Sequence, residues 1–182
     1  MKKIICSVAI AATIFVACNS GNNKTTNTKS TTATNTIAFP VQQIIADYLQ
    51  LKNALATDNS KDAAAAGDSM ITTFSKIENV TLPENQQKVY TGLRDHIEEN
   101  AKKIAANADK IESQREHFEM LSKYIADLVT TFGNGGKTLY KDFCPMANDG
   151  KGAIWISEVK EIKNPYWGSK MPKCGSVKET LN

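Results

Sequence analysis

Two short sulfur-bearing segments are where this chain could do chemistry. One reads Phe143-Cys144-Pro145-Met146; the other reads Met171-Pro172-Lys173-Cys174-Gly175. A C-x-M pair and an M-x-x-C pair thus supply thiols and thioethers, each set bracketed by turn-forming residues. Soft sulfur donors select soft cations, Cu(I) above all. Proline in each segment reduces the entropy lost when its donors are ordered. His117, in Gln114-Arg115-Glu116-His117-Phe118, is a fifth candidate ligand, because neutral imidazole also binds copper. Met120 lies about one helical turn from it.

The same residues admit plainer roles. A Cys144–Cys174 disulfide would close a loop of about 30 residues and contribute about 3.5 kcal/mol through chain entropy. It would staple a cap too small to hold a core of its own. Met146 and Met171 are residue types that fill irregular packing. His117 alone suits a helix surface or core edge, and His96, followed by Glu98 and Glu99, suits solvent. Tyr166 and Trp167 either shield the sulfurs from water or form the core of the cap. A disulfide and a ligand pair both remain open, and they can alternate with redox state.

The cysteine count depends on the N-terminus. Lys2 and Lys3 precede an uncharged apolar run, Ile4 to Ala17, and Cys18 follows directly. The run is too short for a bilayer, which needs about 20 residues, so residues 1–18 read as a secretory signal ending in a lipidated cysteine. Processing before Cys18 removes Cys6, Lys2 and Lys3 and leaves 165 residues with 20 Lys+Arg against 19 Asp+Glu, a net charge of +1. That balance gives no footprint for nucleic acid. Cys18 would carry lipid, leaving Cys144 and Cys174 in the folded part. An exported compartment favours their oxidation. The expected location is the cell envelope, on a periplasm-facing membrane.

Residues 19–38 are mostly Asn, Ser, Thr, Lys and Gly without a carboxylate, a composition that cannot bury apolar surface. They read as a disordered tether with a reach of roughly 25 Å. From residue 39 the pattern is helical. Ile44, Ile45, Tyr48, Leu51 and Leu55 share one face, with Pro40 at the start. Asp58-Asn59-Ser60 breaks that pattern and can cap a second helix, whose face of Ala63, Ala66, Met70, Phe74 and Ile77 is small enough for close approach. Thr81 and Glu84 have capping-box spacing before Val89, Leu93, Ile97, Ala101 and Ile104. Asn107 and Asp109 interrupt the run before Ile111, Phe118, Leu121, Ile125, Leu128 and Phe132, and Gly133 ends it. Four amphipathic segments with short connections predict a mainly α protein, an antiparallel four-helix bundle.

After Gly136 the texture changes. Asn148 to Gly152 is a turn signal between Leu139–Met146 and the strand-like Ala153-Ile154-Trp155-Ile156. The expectation is a hairpin-and-loop cap over about 137–182 on a single domain of 39–182. There is no G-x-S-x-G, P-loop, H-E-x-x-H or dinucleotide fingerprint, and no C-x-x-C-H for haem. A thiol nucleophile at Cys144 with His117 as base lacks any visible oxyanion site. The chain therefore reads as a non-enzyme.

Several stretches carry a resemblance: Gln114 to Phe118 with Leu121-Ser122, Cys144-Pro145-Met146-Ala147, Trp155-Ile156-Ser157, Asn164-Pro165-Tyr166-Trp167-Gly168, and Met171 to Gly175. With the helical region they make residues 40–182 resemble a domain-of-unknown-function family of bacterial envelope proteins. Its members occur alone as lipoproteins or fused to the periplasmic adaptor subunits of Cus-type heavy-metal efflux pumps. The resemblance implies heavy-metal, chiefly copper, binding or resistance, with Cys144, Met146, Met171, Cys174 and His117 as the site. It implies an efflux adaptor or another envelope protein as partner, besides the membrane reached through Cys18. Where that family has Phe or Tyr this chain has Trp167, and Pro172 replaces a larger apolar residue. The competing expectation is a non-catalytic adaptor module whose cysteines only brace the cap.

Overall fold

The computed structural model describes residues 39–77 and 80–182. The expected signal with Cys18, and the tether up to residue 38, lie outside the described residues. Four helices come first: α1 (Val41–Ala56), α2 (Ser60–Ser75), α3 (Glu84–Ala106) and α4 (Ile111–Phe132). Three strands follow, β1 (Leu139–Cys144), β2 (Ala153–Ser157) and β3 (Ser176–Leu181), with a 3-10 turn at Gly168–Lys170. The protein is mainly α, and each helix packs on its sequence neighbour in an antiparallel bundle.

Helical spacing explains the core. Ile44, Ile45, Tyr48, Leu51 and Leu55 of α1 are buried against Met70 and Phe74 of α2, Ile97, Ala101 and Ile104 of α3, and Phe118, Leu121, Ile125 and Leu128 of α4. The small face of α2 does allow close approach. A Cβ added at Gly67 would stand 2.9 Å from the Ala101 carbonyl oxygen and 3.2 Å from the Ala105 nitrogen. Asn59 caps α2, its side-chain oxygen accepting from the Asp62 amide at 3.1 Å, which holds one of the donors a helix start leaves free.

The Thr81–Glu84 capping box does not form. Helix α3 starts at Glu84, after Pro83, whose ψ of 146° is extended. A residue before proline is driven out of the helical region, so the start moves past Leu82 and leaves Thr81 too far upstream. The interruption at Asn107 is real: α3 ends there, and the Lys110 amide donates to the Asn107 carbonyl at 2.9 Å.

The cap is a three-stranded antiparallel sheet in the order β2-β1-β3, one strand more than the expected hairpin. In the β1–β2 register Asp142 faces Trp155 and Cys144 faces Ala153. Directly opposed residues share a face, and all four are buried. The β1–β3 register slips between Lys141 and Asp142, leaving Lys178 over. Its ammonium lies 5.4 Å from the Phe143 ring centre, on the opposite face. The open edge of β2 is closed by two tyrosines. The Ile156 amide donates to the Tyr48 hydroxyl at 3.1 Å, and the Tyr166 hydroxyl donates to the Ile154 carbonyl. Burial pushes both phenols up, so Tyr166 stays protonated and able to donate.

Candidate functional site: the Cys144–Cys174 thiol pair

Cys144 is the last residue of β1. The next ladder position beyond Phe143↔Ser176 brings the end of β1 alongside Gly175, and so the residue before it, Cys174, comes within reach. The two sulfurs lie 2.8 Å apart and are separate thiols. Gly175 permits this approach. Its φ is +139°, and a Cβ there would meet the Trp155 ring at 2.8 Å and the Phe143 carbonyl oxygen at 2.9 Å. Cys144 is buried while Cys174 is half-buried.

The Cys144 thiol beside Cys174 pushes the Cys174 thiol up, and partial burial adds to this. The Met146 backbone N–H, hydrogen-bonded to the Cys174 sulfur, works in the opposite direction. The Cys174 amide donates to the Met171 carbonyl at 3.2 Å, closing the Met171–Cys174 turn. The backbones of both methionines therefore border the sulfur pair. The Met146 side chain is 54% exposed, and that of Met171 is half-buried.

The donor set suits a soft cation, and the distance says what uptake requires. With a metal–thiolate bond of about 2.3 Å, two sulfurs sharing one ion stand roughly 3.3–4.6 Å apart. A disulfide needs about 2.05 Å. The observed 2.8 Å lies between these values. Moving apart by about 1 Å would fall to Cys174, which sits on a turn, because Cys144 is held in the β1–β2 ladder.

His117 does not join them. Among the described residues no three of the His, Cys, Asp and Glu side chains come together as a metal cluster. His117 sits half-buried on α4. Burial, then Lys103, pull its pKa down, against Glu116 and Glu99. Lys103 and Glu99 belong to α3, so the imidazole lies at the α3–α4 seam. His96 stacks on Tyr124 with ring centres 4.8 Å apart. Tyr166 packs at 6.0 Å from the Trp155 ring centre and 5.6 Å from that of Phe118, as part of the core between cap and bundle.

Two polar groupings around the site were missed in the sequence. Arg115 is buried on α4 and donates from Nε to the Pro165 carbonyl at 2.9 Å and from Nη2 to the Leu55 carbonyl at 3.0 Å and to Asp58 at 2.5 Å. Asp58 also accepts from the Ser169 amide at 2.9 Å. Hydrogen bonds from Ser169 first and Arg115 next hold the Asp58 carboxyl down at about 2. The second grouping is Lys52, Asp142 and Glu158. Lys52 is fully buried and pairs with Glu158 at 2.8 Å, which also accepts from Asn53 at 2.7 Å. Burial lowers the Lys52 pKa. Burial opposes ionisation of Glu158, but the bonds from Asn53 and Lys52 outweigh it. Asp142 has neither carboxylate oxygen hydrogen-bonded, and burial pushes it up to about 7 against the pull of Lys52. A charged residue on an apolar stripe was the available signal. Arg115 is three residues from Phe118, and Lys52 is three from Leu55.

Fold and site together define a helical bundle that carries a two-thiol C-terminal sheet. The model of a family described as a protein of unknown function (DUF3347) matches residues 44–137, and the chain belongs to that family. No curated protein and no solved structure matches. The matched stretch runs from α1 to the turn after α4 and stops short of β1. It includes Arg115 and His117 but not Cys144, Met146, Met171 or Cys174. The likeness expected over residues 40–182 is thus found for the helical part.

Proposed function

We propose that this chain is a non-catalytic, lipid-anchored cell-envelope protein that takes up a soft heavy-metal ion, Cu(I), at Cys144 and Cys174. Lipid on Cys18 would hold it to a periplasm-facing membrane, and the ion would be buffered or passed to a heavy-metal efflux adaptor. The observation that carries this reading is the 2.8 Å separation of two thiols brought together from 30 residues apart. The Met146 amide directed at the Cys174 sulfur works against the larger upward push of Cys144 and burial, and the thiolate is the form that binds metal. Met146 and Met171 are the thioether donors of the reading, each on a turn bordering the pair. His117 is left out of the set, because it lies at the α3–α4 seam. The test is titration of anaerobically reduced protein with Cu(I) against a chromophoric chelator. Near-stoichiometric uptake is expected, and it should vanish when Cys144→Ser and Cys174→Ser are combined. Equal uptake by that double variant sinks the reading.

A second reading, an interaction module with a permanent Cys144–Cys174 disulfide, is favoured by the exposure of β3, which a crosslink would secure. Two titratable thiols in protein prepared without reductant would eliminate it.

A further inference from the structure

We infer that Arg115, with Asp58 and Asn164, is a positioning residue for the thiol pair, setting where Cys174 stands relative to Cys144; its functional meaning rests on the pair being the working site. The two thiols are held by different parts of the fold. Cys144 is fixed by the sheet, in register with Ala153. Cys174 ends the loop that returns from β2; the loop touches β2 through the Tyr166 hydroxyl and is tied to the helices through Arg115 and Asp58.

The ties form a continuous path. Arg115, only 6% exposed, donates to the Pro165 carbonyl at 2.9 Å. Its Nη2 reaches Asp58, whose second oxygen takes the Ser169 amide at 2.9 Å. The loop is thereby gripped at both ends of the 165–169 stretch. Asp58 is delivered by the α1–α2 turn in a left-handed conformation, φ 58°. Gly168 lies in the grip. A Cβ there would stand 2.0 Å from Asp58 Oδ1 and 2.6 Å from Arg115 Nη2.

Asn164 relays the constraint. It is fully buried, and its Oδ1 accepts from the Tyr166 and Trp167 amides at 2.8 and 3.1 Å. Its backbone N–H donates to the Pro172 carbonyl at 3.0 Å, and its Nδ2 donates to the Cys174 carbonyl at 2.7 Å. From α4 to the backbone of Cys174 the path is the Arg115–Pro165 hydrogen bond, the Asn164–Pro165 peptide and the Asn164–Cys174 hydrogen bond. A buried guanidinium is costly unless its donors are met, and an apolar side chain would have sealed this contact without fixing a direction. The fork of Arg115 fixes one.

The test is the dithiol–disulfide equilibrium of metal-free protein in glutathione buffers. Two protein thiols and one oxidised glutathione give one protein disulfide and two reduced glutathiones, so the equilibrium ratio reports how well the thiols are placed. Arg115→Ala and Asn164→Ala should each lower that ratio about tenfold, a potential roughly 30 mV more oxidising. Arg115→Lys should fall between those variants and the parent protein. Two controls should leave the ratio unchanged. Lys103→Gln removes an exposed ion pair with Glu99 on α3, and Gly67→Ala strains the α2–α3 contact. Should Arg115→Ala fail to fold, Asp58→Asn, which keeps a residue tolerant of left-handed φ, should lower the ratio about threefold. Folded Arg115 and Asn164 variants with the parent ratio overturn the inference, and so does a Gly67→Ala shift of equal size. Reduced parent protein that takes up no Cu(I) sinks the metal reading and leaves this result standing.

Discussion

Replacing Asp142 with Asn should stabilise the protein at alkaline pH and flatten its response to acid. Asp142 is 0% exposed, and neither of its oxygens is hydrogen-bonded. Burial lifts it from 3.8 to about 7. The folded state therefore binds the proton more tightly than the unfolded chain does. Stability from this group is fully present below about pH 4 and is lost as pH rises through about 7. A rise of about three pKa units corresponds to about 4 kcal/mol. Asn has nearly the same shape as the protonated acid and never ionises. Urea unfolding of both proteins, in reductant, from pH 4 to pH 8 isolates the effect, since Lys52 and Glu158 are common to both. The advantage of the Asp142→Asn variant should grow by about 4 kcal/mol across that range. A gap that stays constant within about 1 kcal/mol, or one that narrows as pH rises, refutes the reasoning that burial governs this carboxyl.

Three further outcomes follow from the packing. Tyr48→Phe removes a 2.8 Å bond to Ser122 and leaves the Ile156 amide without its acceptor; it should cost about 3 kcal/mol in denaturant unfolding, with faster hydrogen exchange at Ile156. Gly67→Ala forces a Cβ to 2.9 Å from a backbone oxygen of α3 and should cost about 1–3 kcal/mol, seen as a lower urea midpoint. Asn59→Ala removes the α2 cap and should cost about 1 kcal/mol with the circular-dichroism spectrum unchanged.

The helices were legible because their apolar residues recur with the helical period. Ile44, Tyr48, Leu51 and Leu55 of α1 and Phe118, Leu121, Ile125 and Leu128 of α4 all lie in the core. Local chemistry misled where a stronger local rule intervened, as Pro83 did to the Thr81–Glu84 signal. Strand β3 was not legible. Ser176 to Leu181 is mostly exposed, so it shows no apolar alternation, and its place depends on pairing with β1 more than thirty residues away. The sulfur segments announced themselves by composition, but their separation is a product of that same pairing and of the Arg115–Asn164 ties. His117 looked like a ligand because imidazole binds copper and the family resemblance includes it, but its neighbour Phe118 is the residue whose ring packs on Tyr166 of the cap. One residue of helical rotation, about 100°, turns the imidazole toward α3 instead.

On the proposed function, Cys144 and Cys174 hold the metal together. X-ray absorption at the copper edge of the Cu(I)-loaded, reduced protein counts the ligands directly. At least two sulfurs at roughly 2.3 Å are expected, falling to none from thiolate when Cys144→Ser and Cys174→Ser are combined. A shell of nitrogen and oxygen alone, or a sulfur shell unchanged in the double variant, would contradict it.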